Sequence, residues 1–268
     1  MAILETSTKT GISWIAESIA LLKAEPRKLL TLALVYVTVF MMLPSLPGFQ
    51  WFALITILIW PIFMAAVIGI YRDVDCIKTD SKQTLNPLNI SEIINSIKPK
   101  ALLLLQLGGA FLLYGAIVSF FLNGDIKGLE TLTQSNAAMT ESEAVIVIQK
   151  MLPLLLKLVL LLIPLMMASW FSPPLIAFNN YSVIKAIKSS IAGSIQYLVA
   201  MGVAWLLLTA GIVGVMLIVG IIIGITGNLI PVLAKLLMPI LIFGSLLAAS
   251  ALMLAFQYVS YRDVFSKA

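Results

Sequence analysis

Lys157 stands in Leu154-Leu155-Leu156-Lys157-Leu158-Val159-Leu160, a lone ionisable side chain in an aliphatic run. A charge at bilayer depth is costly, so such a residue marks a substrate path, a proton relay or a reach to the headgroups. Glu143, Lys150, Lys157 and Pro164 recur every seven residues and share one helix face. Two readings of Lys157 stand side by side. In one it snorkels, its stem in the apolar layer and its ammonium on lipid phosphate, or it pairs with Asp125 or Glu130. In the other, Lys157 serves transport or holds a substrate.

A second group is a repeated tetrapeptide, Tyr71-Arg72-Asp73-Val74 and Tyr261-Arg262-Asp263-Val264. One reading is an interfacial anchor, with the ring at headgroup depth and Arg on phosphate. The other is an Arg–Asp clamp, Arg72 near Asp263 or Arg262 near Asp73, because a planar guanidinium suits bidentate pairing.

The remaining chemistry is sparse. The chain has no His, which removes the commonest general base and metal ligand. Its one cysteine, Cys76, has no internal disulfide partner. A hydrolase built on Asp73, Asp75 and Asp80 lacks a base or nucleophile partner, and no Gly-rich phosphate cradle is present. The expectation is therefore no enzyme, cofactor or metal.

What positions these residues follows from composition. Of 268 residues, 61% are hydrophobic and 11% charged, against about 25% charged in soluble domains. That excludes an ordinary soluble domain, a disordered chain and a nucleic-acid binder. Runs of about 20 apolar residues cross a bilayer as helices. Six are legible: Leu29 to Leu46, Trp51 to Tyr71, Ala101 to Leu122, Leu154 to Leu175, Tyr197 to Ile225 and Leu237 to Tyr261. Asn123-Gly124-Asp125 is expected to end the third and Thr226-Gly227-Asn228 the fifth. No A-x-A-like site follows the first run, so no cleavable leader is expected. Thirteen Lys and Arg fall on the side of the termini and four on the other, which places both termini in the cytoplasm.

Each hairpin of spans is preceded by an amphipathic stretch on the basic side. The first is Ile12 to Lys23, the second Ile90 to Ile97 and the third Ser182 to Gln196, each with an isoleucine stripe at helical spacing. Such helices lie flat at the headgroups, or pack on their own spans. The chain reads as a single all-α membrane domain, 1–268, with candidate repeats 11–71, 89–178 and 182–261. Gly220 and Gly224 in the fifth span, and Gly244, Ala248, Ala251 and Ala255 in the sixth, are spaced for close packing of five on six or for dimerisation.

Several motifs carry a resemblance: Gly11-x-x-Trp14-Ile15, Pro26, Trp170-Phe171-Ser172-Pro173-Pro174-Leu175 and the closing Tyr258-x-Ser260-Tyr261-Arg262-Asp263-Val264-Phe265. Over nearly its whole length the chain resembles a family of uncharacterised six-span inner-membrane proteins of Gram-negative bacteria. More distantly it is similar to the group holding the membrane domain of glycerophosphodiester phosphodiesterases. The resemblance implies a fold and an inner-membrane location, and it transfers no catalytic residue. The expected function is non-catalytic: a scaffold, accessory or lipid-contacting protein whose partners are anionic headgroups and a membrane-protein neighbour. The alternative is a small-molecule or lipid transporter.

Overall fold

The computed structural model describes residues 2–79, 90–133 and 141–266. Asp80 and the capping residue Asn89 lie outside them, as do the side chains of Glu130 and Glu143. Among the described residues there are helices and no strands. The helices are α1 (Ala2–Ala24), α2 (Pro26–Tyr36), α3 (Leu43–Ser45), α4 (Phe52–Thr79), α5 (Ile90–Ile97), α6 (Ala101–Thr133), α7 (Glu141–Asn179), α8 (Val183–Gln196), α9 (Leu198–Leu229) and α10 (Pro231–Tyr261). Six stretches are long and apolar enough to span a membrane: Pro26–Ser45, Phe52–Cys76, Ser91–Gly128, Val147–Asn179, Leu198–Leu229 and Pro231–Phe265. The chain is an all-α polytopic membrane protein.

Two expected breaks are absent. Helix α6 runs through Asn123-Gly124-Asp125 to Thr133, because a glycine costs a helix only about 1 kcal/mol and packing on α7 offsets it. Helix α9 likewise continues through Thr226-Gly227-Asn228 to Leu229. Its stop is Ile230, at φ −141° and ψ 84°. Pro231 follows, and proline disfavours the α conformation in the residue before it. Proline then opens α10, where a missing N–H is tolerated.

The joints before the spans differ. Glu25, at φ −136° and ψ 61°, separates α1 from α2, and Tyr197, at φ −106° and ψ 22°, separates α8 from α9. Helix α5 passes into α6 through one tight turn, Lys98–Lys100, without leaving helical backbone. Between α2 and α3 the chain widens into a π-helical turn at Val37–Met42, just ahead of Pro44, whose ring would crowd the carbonyl of Phe40 in a regular helix. Gly48, at φ +84°, closes the first hairpin where a side chain would be strained.

Helix α1 packs on α9 and α10, α4 on α6, and α9 on α10. The buried face of α1 is Gly11, Trp14, Ser18 and Leu21, whereas Ile12 and Ile19 point outward. In α8 the buried face is Ala186, Ser190, Gly193 and Ser194, and Ile184 and Ile195 point outward. The closest approaches at glycines use positions other than those expected to pack span five on span six. A Cβ at Gly108 would strike the backbone carbonyl of Leu58, and one at Gly11 that of Ala200. Gly220, Gly224 and Gly244 face open space. Helix α9 instead meets α10 near Gly227 and Ala234. The core gathers toward the Arg262 end of the bundle, around Trp14, Tyr71, Phe171 and Phe256.

Candidate functional site

At that end the termini of α4 and α10 and the middle of α1 converge on Arg262. Its Nη1 donates to Asp75 Oδ2 at 2.7 Å, and its Nη2 donates to the Glu17 carboxylate and, at 3.1 Å, to Asp263 Oδ1. The Tyr258 hydroxyl donates to Asp75 Oδ2 at 2.8 Å, and Trp14 Nε1 donates to Asp263 Oδ2 at 3.0 Å. The side chains of Arg262, Asp75 and Asp263 are 23%, 17% and 15% exposed. Three carboxylates thus share one guanidinium. Trp14 is fully buried, its ring 6.0 Å from Tyr197 and 6.2 Å from Phe256. The anchor on α1 is therefore both apolar and charged.

The clamp expected between Arg262 and Asp73 is made by Asp75 instead. The reason is helical phase. Tyr71 is buried toward α10, with its hydroxyl on the Ala251 carbonyl at 2.9 Å and its ring stacked on Tyr258. Asp75 is four residues on and shares that face, whereas Asp73 is two residues on and turns about 200° away. Arg72 is exposed and lies over the Phe178 ring, 5.8 Å from its centroid. Tyr261 donates to Asn179 Oδ1 at 2.6 Å. The two tetrapeptides therefore hold the same residue types in different duties.

Lys157 lies where α7 faces α6. Its Nζ donates to Asp125 Oδ2 at 2.7 Å and to the Phe121 carbonyl at 3.1 Å, and both charged side chains are 46% exposed. Lys150, two turns away, is exposed.

A third polar feature lies within α7 beside the buried Trp170. Pro174 has no N–H for the Trp170 carbonyl, and Gln257 Nε2 from α10 donates to that oxygen at 2.7 Å. The Ser190 hydroxyl donates to the Met167 carbonyl at 2.6 Å and accepts from the Phe171 N–H at 3.0 Å, so it stands between partners that a regular helix would join directly. Trp170 Nε1 donates to Ser260 Oγ at 3.1 Å, and the Ser172 hydroxyl donates back to the Ala168 carbonyl. The Trp-Phe-Ser-Pro-Pro motif thus removes ladder donors within a continuous α7, and side chains of α8 and α10 bond the backbone there.

Sequence reasoning did not bring Glu17, Asp75, Trp14, Ser190 or Gln257 into these sites. A local signal existed for two of them: Asp75 shares a helix face with Tyr71, and Glu17 lies one turn from Trp14. Among the described residues no group of three or more His, Cys, Asp or Glu side chains has the arrangement to hold a metal. In comparisons with known proteins, no family model matches the chain, and neither does any curated protein or solved structure.

Proposed function

We propose that this chain is a non-catalytic integral protein of a bacterial inner membrane, with both termini cytoplasmic. It acts as a scaffold or accessory subunit through contacts in the bilayer and with anionic headgroups. One observation carries the reading. Two charges within the spans are matched inside the chain, Arg262 by Asp75, Glu17 and Asp263, and Lys157 by Asp125, whereas Lys150 and Lys235 are exposed. The matched pairs tie helices to one another. The surface left for partners is aliphatic: Leu156 and Leu160 of α7, Leu217 and Ile221 of α9, and Leu236 and Ile240 of α10 are each 60% exposed or more.

Other observations support the finer points. The thirteen-to-four charge split supports the orientation. The outward isoleucines of α1 and α8, with exposed Lys185 and Lys188, support helices resting at the headgroup layer. The matched Tyr-Arg-Asp-Val endings support repeats at 11–71, 89–178 and 182–261, and the closing motif supports kinship with the six-span family.

The proline-rich helix α7 favours a second reading, transport of a small molecule or lipid, because prolines at 153, 164, 173 and 174 free backbone carbonyls within a span, and such groups can line a pathway. Purification from native membranes in mild detergent separates the two. A stoichiometric membrane-protein partner is the expected result. A solute accumulated by vesicles holding the pure chain, with uptake lost in Lys157→Arg at normal abundance, overturns it.

A further inference from the structure

Two adjoining cavities lie among the spans. The inner one, about 140 Å³, sits between α2, α4, α7, α9 and α10, and its lining includes Tyr36, Trp60, Ser169 and Gln257. The outer one, about 260 Å³, shares Tyr36, Trp60 and Ser169 and reaches Ile57 of α4, which is 41% exposed within its span. Tyr36 falls at the middle of the first span, Pro26–Ser45. The π-helical turn that follows it, Val37–Met42, carries Phe40 on the wall of the outer cavity. Widened turns of this kind recur at functional sites. Among the described residues, no charged side chain lines either cavity.

The polar groups there are of both kinds. Gln257 is 4% exposed. Its Nε2 donates to the Trp170 carbonyl, and a carbonyl only accepts, so the amide oxygen turns the other way. Among the described residues no donor bonds that oxygen, and no fully enclosed side-chain oxygen or nitrogen lacks a partner. The oxygen therefore borders open space, and the inner cavity is a space that Gln257 lines. Trp60 is the hydrogen-bonding neighbour of the Tyr36 hydroxyl. Its indole nitrogen only donates, which leaves the Tyr36 proton without a described acceptor. The Ser169 hydroxyl donates to the Met166 carbonyl at 3.2 Å and keeps its lone pairs. The donors on offer are the Tyr36 O–H and the second Gln257 N–H, and the acceptors are the Gln257 and Ser169 oxygens.

These groups sort the possible occupants. A charged one gives up its hydration and finds no counter-charge. A pure hydrocarbon leaves the Gln257 oxygen and the Tyr36 proton without partners. A hydroxyl both donates and accepts, and suits either group. The inner cavity, at about 140 Å³, is smaller than pockets for drug-sized ligands, roughly 300–1,000 Å³, so the polar head must be small. We propose that the inner cavity binds the hydroxyl of an uncharged lipid alcohol drawn from the bilayer, whose hydrocarbon tail leaves through the outer cavity past Ile57. Such a site requires neither scaffolding nor transport.

The test uses the full chain in phosphatidylglycerol nanodiscs holding a dodecanol that carries a diazirine beside its hydroxyl. After illumination, mass spectrometry locates the label. Saturable labelling of the stretches that hold Tyr36, Ser169 and Gln257 is expected. Unlabelled dodecanol should compete, and dodecane should compete about tenfold less well, the worth of one hydrogen bond away from water. Dodecyltrimethylammonium should not compete. Tyr36→Phe keeps the ring and loses the O–H, so it should weaken dodecanol about tenfold, whereas Tyr181→Phe, at the joint of α7 and α8, should leave it unchanged. Ser169→Leu fills the junction of the two cavities and should abolish the labelling, with thermal unfolding showing that each variant is folded. Labelling that never saturates overturns the proposal and leaves the cavity to water. So does equal competition by dodecane or by the ammonium, or wild-type labelling in folded Ser169→Leu.

Discussion

Arg262 and Asp75 meet at 2.7 Å although 187 residues separate them, and their contact joins the ends of α4 and α10. Glu17 on α1 shares the same guanidinium. The N-terminal helix, the second span and the last span are therefore fastened at one point. Removing the arginine leaves three carboxylates crowded in a half-buried place. Arg262→Ala should cost about 2–3 kcal/mol, the scale of hydrogen bonds to charged groups. Asp75→Asn should cost less, since the amide still accepts from Arg262 and Tyr258. The check is thermal unfolding in detergent, with a double-mutant cycle for the pair. A coupling energy near zero would show that the contact is incidental.

Lys157 and Asp125 form a half-exposed pair between α6 and α7. Exposed pairs contribute about 0–1 kcal/mol, so Lys157→Leu should lower stability only slightly. Lys157→Arg keeps charge and reach, so it should be silent in complementation of a deletion strain. The exchange Lys157→Asp with Asp125→Lys should behave like wild type, whereas each single reversal sets like charges together and should not. Loss of function in Lys157→Arg at normal protein level would show that proton exchange at Lys157 matters.

Glycine substitutions separate close helix contacts from bystanders. Gly108→Ala places a methyl against the Leu58 backbone, which cannot turn aside as a side chain can. A cost of about 1–3 kcal/mol follows from overpacking. Gly220→Ala and Gly224→Ala meet nothing and should be neutral or stabilising, because alanine is the better helix former by about 1 kcal/mol. Retained fluorescence of a C-terminal green fluorescent protein fusion after heating reports all three. Strong destabilisation by Gly220→Ala would instead place that face in a contact with another helix.

Topology follows from charge. A periplasm-dependent phosphatase fused after Glu130 should be active, and one fused after Ala268 inactive. Activity at both points, or the reverse pattern, contradicts six spans with cytoplasmic termini.

The stretch of α7 from Trp170 to Pro174 should depend on its substitutes for lost ladder bonds. Gln257→Leu leaves the Trp170 carbonyl without its donor inside the bundle, at a cost of about 1–3 kcal/mol. Ser190→Ala should cost less, because Met167 and Phe171 can approach and rejoin the ladder. Hydrogen exchange over α7 reads the difference: faster exchange around Phe171 in Gln257→Leu, and little change in Ser190→Ala.

Much of the fold was legible from residue order. Six helices follow from six apolar runs, because crossing a bilayer is a matter of run length. The Lys157–Asp125 pair was among the readings that the residues allowed. Helix ends were less legible. Asn123-Gly124-Asp125 reads as a stop, yet its local preference is worth about 1 kcal/mol per glycine and yields to neighbours. Ile230-Pro231 does stop its helix, where the steric bias before proline falls at the turn between two spans, whereas the same bias is overridden inside α7 at Pro153 and Pro164.

The sequence by itself determined which segments are helices, how many are apolar enough to cross a bilayer and where the charges sit along the chain. Only the tertiary structure decided that Asp75 rather than Asp73 receives Arg262, that Trp14 is the buried anchor of α1, and that Gln257 and Ser190 complete the broken ladder of α7. Each of these depends on the azimuth of one helix against another. Hydrophobic runs along a chain do not encode that rotation. It is chosen when the bundle packs, by which faces fit together and which polar groups then find partners.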